Sequence, residues 1–70
     1  MKSDFKTRLK ELRIEKGLSQ NDLAKLLRMS KMAISHWELG HSEPSIEQLI
    51  TLAEYFAVSA DYLIGKNDYY

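Results

Sequence analysis

Four neighbouring side chains in the middle of the chain have the types and the spacing to bind nucleic-acid bases from one face of a helix. In chain order they are Lys31, Met32, Ser35 and His36. Residues at this spacing lie on adjoining parts of a helix surface. They provide a cation, a flexible apolar group, a hydroxyl and an imidazole, without any acidic side chain. Such a face suits the base edges in the major groove of DNA.

The segment 19–40 must hold that face in place, and its sequence predicts two short helices joined by a tight turn. Ser19 and Asp22 form a capping box, in which each side chain accepts a hydrogen bond from the backbone N–H of the other residue. Ser30 offers a second N-cap a few residues later. Because so short a turn does not let the helices pack antiparallel, they must cross at a large angle, as in a helix-turn-helix unit.

Both predicted helices have an apolar stripe that leaves the opposite face free. Leu23, Ala24 and Leu27 share one face of the first helix. Ile34 and Trp37 share one face of the second. Burial of these stripes leaves the second helix prominent, with its polar face exposed.

Three further helices are predicted around this unit. A first helix ends near Gly17, and a short last helix lies between Ser59 and Gly65. Ser45 with Gln48 forms a second capping box, which opens a longer helix. The apolar face of that longer helix, predicted to be the main packing surface, contains Ile46, Leu49, Ile50, Leu52, Ala53 and Phe56. The expected fold is therefore all-α, a compact domain of five helices.

The composition fits one small globular domain. The chain has 70 residues, of which 44% are hydrophobic and 29% are charged. Since no repeat or linker divides it, we expect a single domain over residues 1–70, with 66–70 as a short tail. The absence of cysteine excludes a disulfide framework and a thiolate metal site. No stretch resembles a membrane span or a signal peptide, so we expect a cytoplasmic protein with no membrane partner.

The net charge is zero, but the charges are separated along the chain. Residues 1–40 contain nine Lys or Arg and five Asp or Glu, a net charge of +4. Residues 41–70 contain one Lys and five Asp or Glu, a net charge of −4. A phosphate responds to the local potential rather than to the net charge. The basic half contains both helices of the central unit, which favours double-stranded DNA as the partner; the alternative is a chance imbalance.

From Leu9 to Gly65 the sequence resembles the phage repressor and Cro type of helix-turn-helix regulator, the lambda repressor-like or XRE family. The matching segments are, in order, LRIEKGLSQNDLA, MS, IS.WE.G, EPSIEQL and LAEYFAVSADYLIG. The resemblance implies a lambda repressor-like DNA-binding domain with its helix-turn-helix at helices 2 and 3. It also implies a sequence-specific transcriptional regulator, most simply a repressor that binds a palindromic operator through its third helix.

The resemblance assigns DNA contacts to particular residues. Base contacts are implied for Lys31, Met32, Ser35 and His36. Phosphate contacts are expected from Ser19, Gln20, Arg28, Gly40, His41 and Ser42. Arg13 and Glu38 match a pair that connects the first helix to the end of the reading helix and sets its orientation. Capping alone would equally explain Ser19, and a solvated arginine would equally explain Arg28.

Three residues depart from the usual pattern of the family. Arg28 and Ala57 stand where glycine is usual. The position of Arg28 normally has positive φ, which costs other residues on the order of 1 kcal/mol, so its departure indicates either tolerated strain or a slightly different turn. Leu39 stands where the family more often has a polar or basic residue beside the phosphates. We expect that contact to pass to the N–H of Gly40 and to the two residues that follow it.

The last helix and the tail are expected to make a homodimer, because this region commonly forms the two-fold contact in the resembled family. Large apolar and aromatic side chains favour such an interface. The predicted interface residues are Leu63, Ile64, Tyr69 and Tyr70. The alternative is a frayed terminus from Lys66 onward.

Catalysis finds no support in the sequence. His36 and His41 are five residues apart, unlike a helical zinc pair at i and i+4, and no phosphate loop or nucleophile motif is present. We therefore expect no enzymatic activity, cofactor, metal or small-molecule ligand. The competing interpretation is an antitoxin or adaptor of the same fold, whose exposed helix docks on a protein.

Overall fold

The computed structural model describes residues 4–68, and these form five α-helices without any strand. The helices are α1 (Phe5–Glu15), α2 (Gln20–Leu27), α3 (Lys31–Leu39), α4 (Ile46–Phe56) and α5 (Ala60–Leu63). The described part measures 28 × 23 × 20 Å along its principal axes. The predicted all-α, five-helix architecture is confirmed.

Serine hydroxyls cap the helices after α1, as the sequence predicts. Each hydroxyl accepts a hydrogen bond from the backbone N–H three residues further on, at 2.9–3.1 Å. The capping serines are Ser19, Ser30, Ser45 and Ser59. In α2 and α4 the third residue completes a capping box. These local bonds satisfy N–H groups that a helix start leaves without partners, and they fix where each helix begins.

Two helices end at a non-glycine residue in the left-handed conformation. Arg28 has φ 57° and ψ 45° after α2, and Ala57 has φ 56° and ψ 43° after α4. Of the two alternatives for Arg28, the structure therefore has the strained left-handed conformation rather than a different turn, and Ala57 has the same conformation. The left-handed backbone conformation is unfavourable for residues that carry a Cβ, so each of the two turns is strained.

Replacement of Arg28 by glycine is expected to relieve the first of these strains. We predict that Arg28→Gly raises the free energy of unfolding by up to about 1 kcal/mol. Lys25→Gly, an exposed substitution within α2, is the matched control and should lower it by about the same amount. Chemical denaturation of both variants measures the two effects. A clear loss of stability in Arg28→Gly would show that the arginine side chain stabilises the turn by more than the strain costs.

The core joins all five helices, and Trp37 is the larger of the two side chains that α3 buries in it. This side chain is 3% exposed, and its ring meets that of Phe5 in α1 edge to face, with centroids 6.0 Å apart. Ile34, one turn earlier on α3, is fully buried. The buried apolar residues are Phe5, Leu9, Leu12, Leu23, Ala24, Ile34, Trp37, Leu52, Ala53, Phe56, Val58 and Leu63. Packing of α3 on α1 and α2 therefore directs its other face outward.

The apolar face predicted for α4 is narrower than expected. Leu52, Ala53 and Phe56 are buried as predicted, and Leu49 packs against them. In contrast, Ile46 is 78% exposed and Ile50 is 50% exposed. The buried positions follow helical spacing along one stripe, whereas Ile46 and Ile50 lie to one side of it and Ile46 is in the first turn. The assignment of these two isoleucines to the core was wrong.

The segment after α5 is held against α1 by Arg8. The guanidinium stacks on the Tyr62 ring, 4.2 Å from its centroid. It donates to the Tyr62 carbonyl at 2.9 Å, to the Asn67 carbonyl and to the Asp68 carboxylate at 2.9 Å. Asn67 and Asp68 are therefore attached to α1, and the Lys66 N–H donates to the Asp61 carbonyl of α5 at 2.8 Å. The alternative of a frayed terminus from residue 66 is wrong for these three residues.

One predicted dimer residue is unavailable at the surface. Leu63 has no exposed area because it points into the core between α4 and α1. Its assignment to a dimer interface was therefore wrong, although the neighbouring Ile64 remains partly exposed. Tyr69 and Tyr70 lie outside the described residues.

Between residues 4 and 68, every helix is too short or too polar to cross a membrane.

Candidate nucleic-acid interface

The outward face of α3 brings the four predicted base-contacting residues together. Lys31, Met32 and His36 are exposed and Ser35 is half-buried. These four line one shallow groove of 410 Å³. Helical spacing alone explains this arrangement, because the buried Ile34 and Trp37 fix which side of α3 faces the core.

Two more residues line the same groove. Leu39 is 58% exposed at the end of α3, and His41 follows it in the next loop. The rings of His36 and His41 lie 5.8 Å apart between centroids. The sequence did not assign Leu39 to the reading surface, although its i+3 spacing from His36 was a signal that it shares this face. The groove is thus more apolar at its C-terminal end than the resemblance implied.

Arg13 and Glu38 form the predicted pair between α1 and α3. Arg13 Nε donates to Glu38 Oε2 at 2.7 Å, and Arg13 Nη2 donates to Glu38 Oε1 at 3.0 Å. The two side chains are 10% and 4% exposed. The hydrogen bonds to Glu38 raise the pKa of Arg13. This bidentate geometry fixes the orientation of both groups more tightly than a single contact would.

Two further groups join the pair. Arg13 Nη1 donates to the Leu18 carbonyl at 2.8 Å, and Gln20 Nε2 donates to Glu38 Oε1 at 3.1 Å. The first bond ties the α1–α2 connection to the pair, and the second ties the start of α2 to the end of α3. Gln20 is therefore held in place by Glu38, and its carboxamide keeps a second N–H that is available to a phosphate.

The residues predicted to bind phosphate fall in different places. Ser19 and Gln20 are at the N-terminus of α2, where backbone N–H groups and the helix dipole favour an anion. His41 and Ser42 are exposed beyond α3. Arg28 is exposed but lines a separate cavity of 320 Å³ under the turn, with Trp37 and the first residues of α4, rather than the groove of the reading face.

The expectation that the Gly40 N–H donates to a phosphate was wrong. That N–H donates to the Trp37 carbonyl at 3.2 Å, and the His41 N–H donates to the His36 carbonyl at 2.9 Å. Together with φ 80° at Gly40, these two bonds close the C-terminus of α3. The helix end uses both donors for its own carbonyls, so a phosphate there must be bound by side chains.

Asp22 gives the start of α2 a dependence on pH. Hydrogen bonds from the backbone N–H and the hydroxyl of Ser19 lower the pKa of Asp22. A carboxyl whose pKa is lower in the folded state stabilises the fold above its unfolded pKa, and this stability is lost as the pH falls through the folded value.

We therefore predict that Asp22→Asn loses less stability than the wild type when the pH is lowered through the range in which aspartate titrates. Thermal unfolding measured at a series of pH values compares the two. Ser19→Ala removes only the hydroxyl and keeps the backbone N–H, which is the larger cause of the lowered pKa, so it should flatten the profile less than Asp22→Asn does. An Asp22→Asn profile parallel to that of the wild type would contradict this linkage.

Comparison with known proteins identifies relatives over nearly the whole chain. The helix-turn-helix family matches residues 9–63. The HTH-type transcriptional activator BcrR of Enterococcus faecalis is 39% identical over 65 residues, which cover 93% of this chain and 32% of that protein. The chain spans about a third to a half of the length of such relatives.

Two solved structures are similar to this one. A transcriptional regulator from Listeria innocua has a TM-score of 0.85 and 34% identity, covering 91% of this chain and 60% of that one. The P22 c2 repressor, solved in complex with a synthetic operator, has a TM-score of 0.82 and 32% identity, covering 90% of this chain and 96% of that one.

Proposed function

Because this chain belongs to the helix-turn-helix family, we propose that it is a sequence-specific DNA-binding regulator of transcription that acts as a repressor. In this proposal α3 enters the major groove and reads base edges through Lys31, Met32, Ser35 and His36. The observation that carries it is that these four side chains line one and the same exposed groove. The P22 c2 repressor, which has the same fold, was solved with an operator.

The contacts to the DNA backbone are proposed to flank the bases on both sides. Ser19 and Gln20 serve one phosphate at the start of α2, while His41 and Ser42 serve another beyond α3. Arg28 is assigned a peripheral phosphate. The Arg13–Glu38 pair sets the angle of α3, since it joins α1, the start of α2 and the end of α3 through buried hydrogen bonds.

We propose that two copies bind a palindromic operator whose half-sites lie about one helical turn apart. Without Leu63, the interface contains Ile64 and, in the tail, Tyr69 and Tyr70. Such a small interface implies weak self-association, so that DNA completes the dimer by holding two copies on adjacent half-sites.

Sedimentation with one-site and two-site duplexes tests the dimer. Ile64→Lys should abolish cooperative binding to the two-site duplex and leave one-site binding intact. Ile50→Lys, which changes an exposed isoleucine on α4, is the matched control. If Ile50→Lys abolishes cooperativity and Ile64→Lys does not, the interface lies on α4 instead.

The protein is proposed to act in the cytoplasm and by binding rather than catalysis. The support for this proposal is that its relatives are regulators of transcription. Selection of bound duplexes from a random DNA pool tests the function. We expect a two-fold symmetric consensus whose binding constant falls steeply with salt, with a slope of about −0.9 for each neutralised phosphate. Failure to enrich any sequence would reject the proposal and favour a helix that docks on a protein.

A further inference from the structure

The Lys6 side chain extends from α1 across the C-terminal end of α3. A Cβ built on Gly40 would lie 3.1 Å from Lys6 Cδ and 3.6 Å from Lys6 Nζ. The first distance is shorter than about nine in ten real Cβ contacts, so the absence of a side chain at Gly40 leaves room for the lysine. The ammonium therefore lies beside the start of the loop that contains His41 and Ser42.

This end of α3 needs an additional donor if it meets a phosphate. Leu39 is apolar and exposed. The backbone N–H groups of Gly40 and His41 donate to carbonyls of α3. His41 and Ser42 then provide an imidazole and a hydroxyl, neither of which is a permanent cation. A lysine that reaches this point supplies the missing positive charge.

Lys6 lines a second groove, which shares the lining residue Leu39 with the groove of the reading face. This groove, of 550 Å³, lies between α1 and the end of α3. The other lining residues are Thr7, Lys10, Glu11, Ile14 and Glu38. Of the two acids, Glu38 is occupied by Arg13. Within residues 4–68, no ion pair engages the Lys6 ammonium.

We propose that Lys6 binds a backbone phosphate of the operator next to the bases read by α3, so that the DNA footprint extends from α3 onto α1. This inference rests on the proposed function and adds to it a binding residue outside the helix-turn-helix. Lys6 takes the place of the polar or basic side chain that Leu39 lacks. Its charge contributes to affinity at every DNA sequence, because a phosphate contact carries no base information.

The test compares Lys6→Gln with Lys16→Gln, which removes the same charge from the C-cap of the same helix. The Lys16 ammonium lies 5.4 Å from the Tyr55 ring centroid, on the side of α1 that faces α4. Binding to the selected operator is measured over a series of salt concentrations. The logarithm of the binding constant falls linearly with the logarithm of the salt concentration. Lys6→Gln should make this negative slope less steep by about 0.9 for each bound copy. Lys16→Gln should leave the slope unchanged.

A second measurement locates the contact. Single phosphates along one half-site are replaced by uncharged methylphosphonates, and binding of the wild type and of Lys6→Gln is compared at each position. We expect one position at which neutralising the phosphate weakens the wild type but has little further effect on the variant. Equal slopes for Lys6→Gln and the wild type, or effects that add at every position, would overturn the assignment.

The outcomes separate this inference from the function on which it rests. If the wild type binds its operator with a steep slope that Lys6→Gln does not change, Lys6 is not a phosphate ligand and the proposed function stands. A lower thermal midpoint with an unchanged slope would likewise overturn the inference, since Lys6 would then only stabilise the end of α3. If the wild type does not distinguish operator from scrambled DNA, both proposals fall.

Discussion

Glu38→Ala is expected to lower the free energy of unfolding by about 3 kcal/mol, a large part of the stability of so small a domain. The substitution leaves the Arg13 guanidinium and the Gln20 carboxamide without their acceptor in a site where both members of the pair are buried. The loss lies at the low end of the range for a broken buried pair, because Arg13 keeps its bond to the Leu18 carbonyl. Urea denaturation measures it. Glu11→Ala, an exposed change on α1, is the control and should have little effect.

A double variant separates stability from orientation. Arg13→Met with Glu38→Leu replaces the pair by apolar side chains, which is often neutral or stabilising. If the pair orients α3, the double variant should regain most of the stability lost in Glu38→Ala and still bind the operator less tightly than the wild type. Wild-type affinity in the double variant would show that the pair only stabilises the fold.

Lys31→Ala and His36→Ala are each expected to weaken binding to the operator by about 1–3 kcal/mol, with little effect on random DNA. Both side chains are exposed in the groove of α3, and neither contributes to the core. Their loss should therefore relax the base preference while leaving the thermal midpoint unchanged. Fluorescence anisotropy with operator and random duplexes of equal length measures both affinities.

His41→Ala is the matched control for His36→Ala, because the two rings are neighbours in one groove. If His41 binds phosphate, its replacement should weaken binding to both duplexes by the same factor. Equal losses on both duplexes for His36→Ala would assign His36 to the phosphates as well. If His41→Ala weakens binding to the operator but not to the random duplex, His41 contacts a base instead.

Local features of the fold were predictable because a few neighbouring residues determine them. The hydroxyl of Ser19 or Ser45 needs only an N–H three residues away. The stripe of Ile34 and Trp37 fixed the face of α3 in the same way. The left-handed turn at Arg28 was indicated by the resemblance, because the family usually has glycine there.

Long-range contacts were not predictable from spacing. Arg8 contacts Tyr62, Asn67 and Asp68, which follow it in the sequence by 54 to 60 positions. Nothing in the sequence near Arg8 distinguishes it from the other cations of α1. Apolar character could not decide whether Leu63 or Ile50 faces the core, since that choice depends on how α4 and α5 pack on α1. The contact of Lys6 with Gly40 has the same origin.

The central claim is that the face of α3 reads base sequence, and the ratio of two affinities tests it most directly. Binding of the wild type is measured at one salt concentration to the selected operator and to a duplex of the same length and composition with its half-sites scrambled. We expect the operator to bind at least about 1,000-fold more tightly, as specific protein–DNA complexes typically do. Equal binding to the two duplexes would contradict the claim.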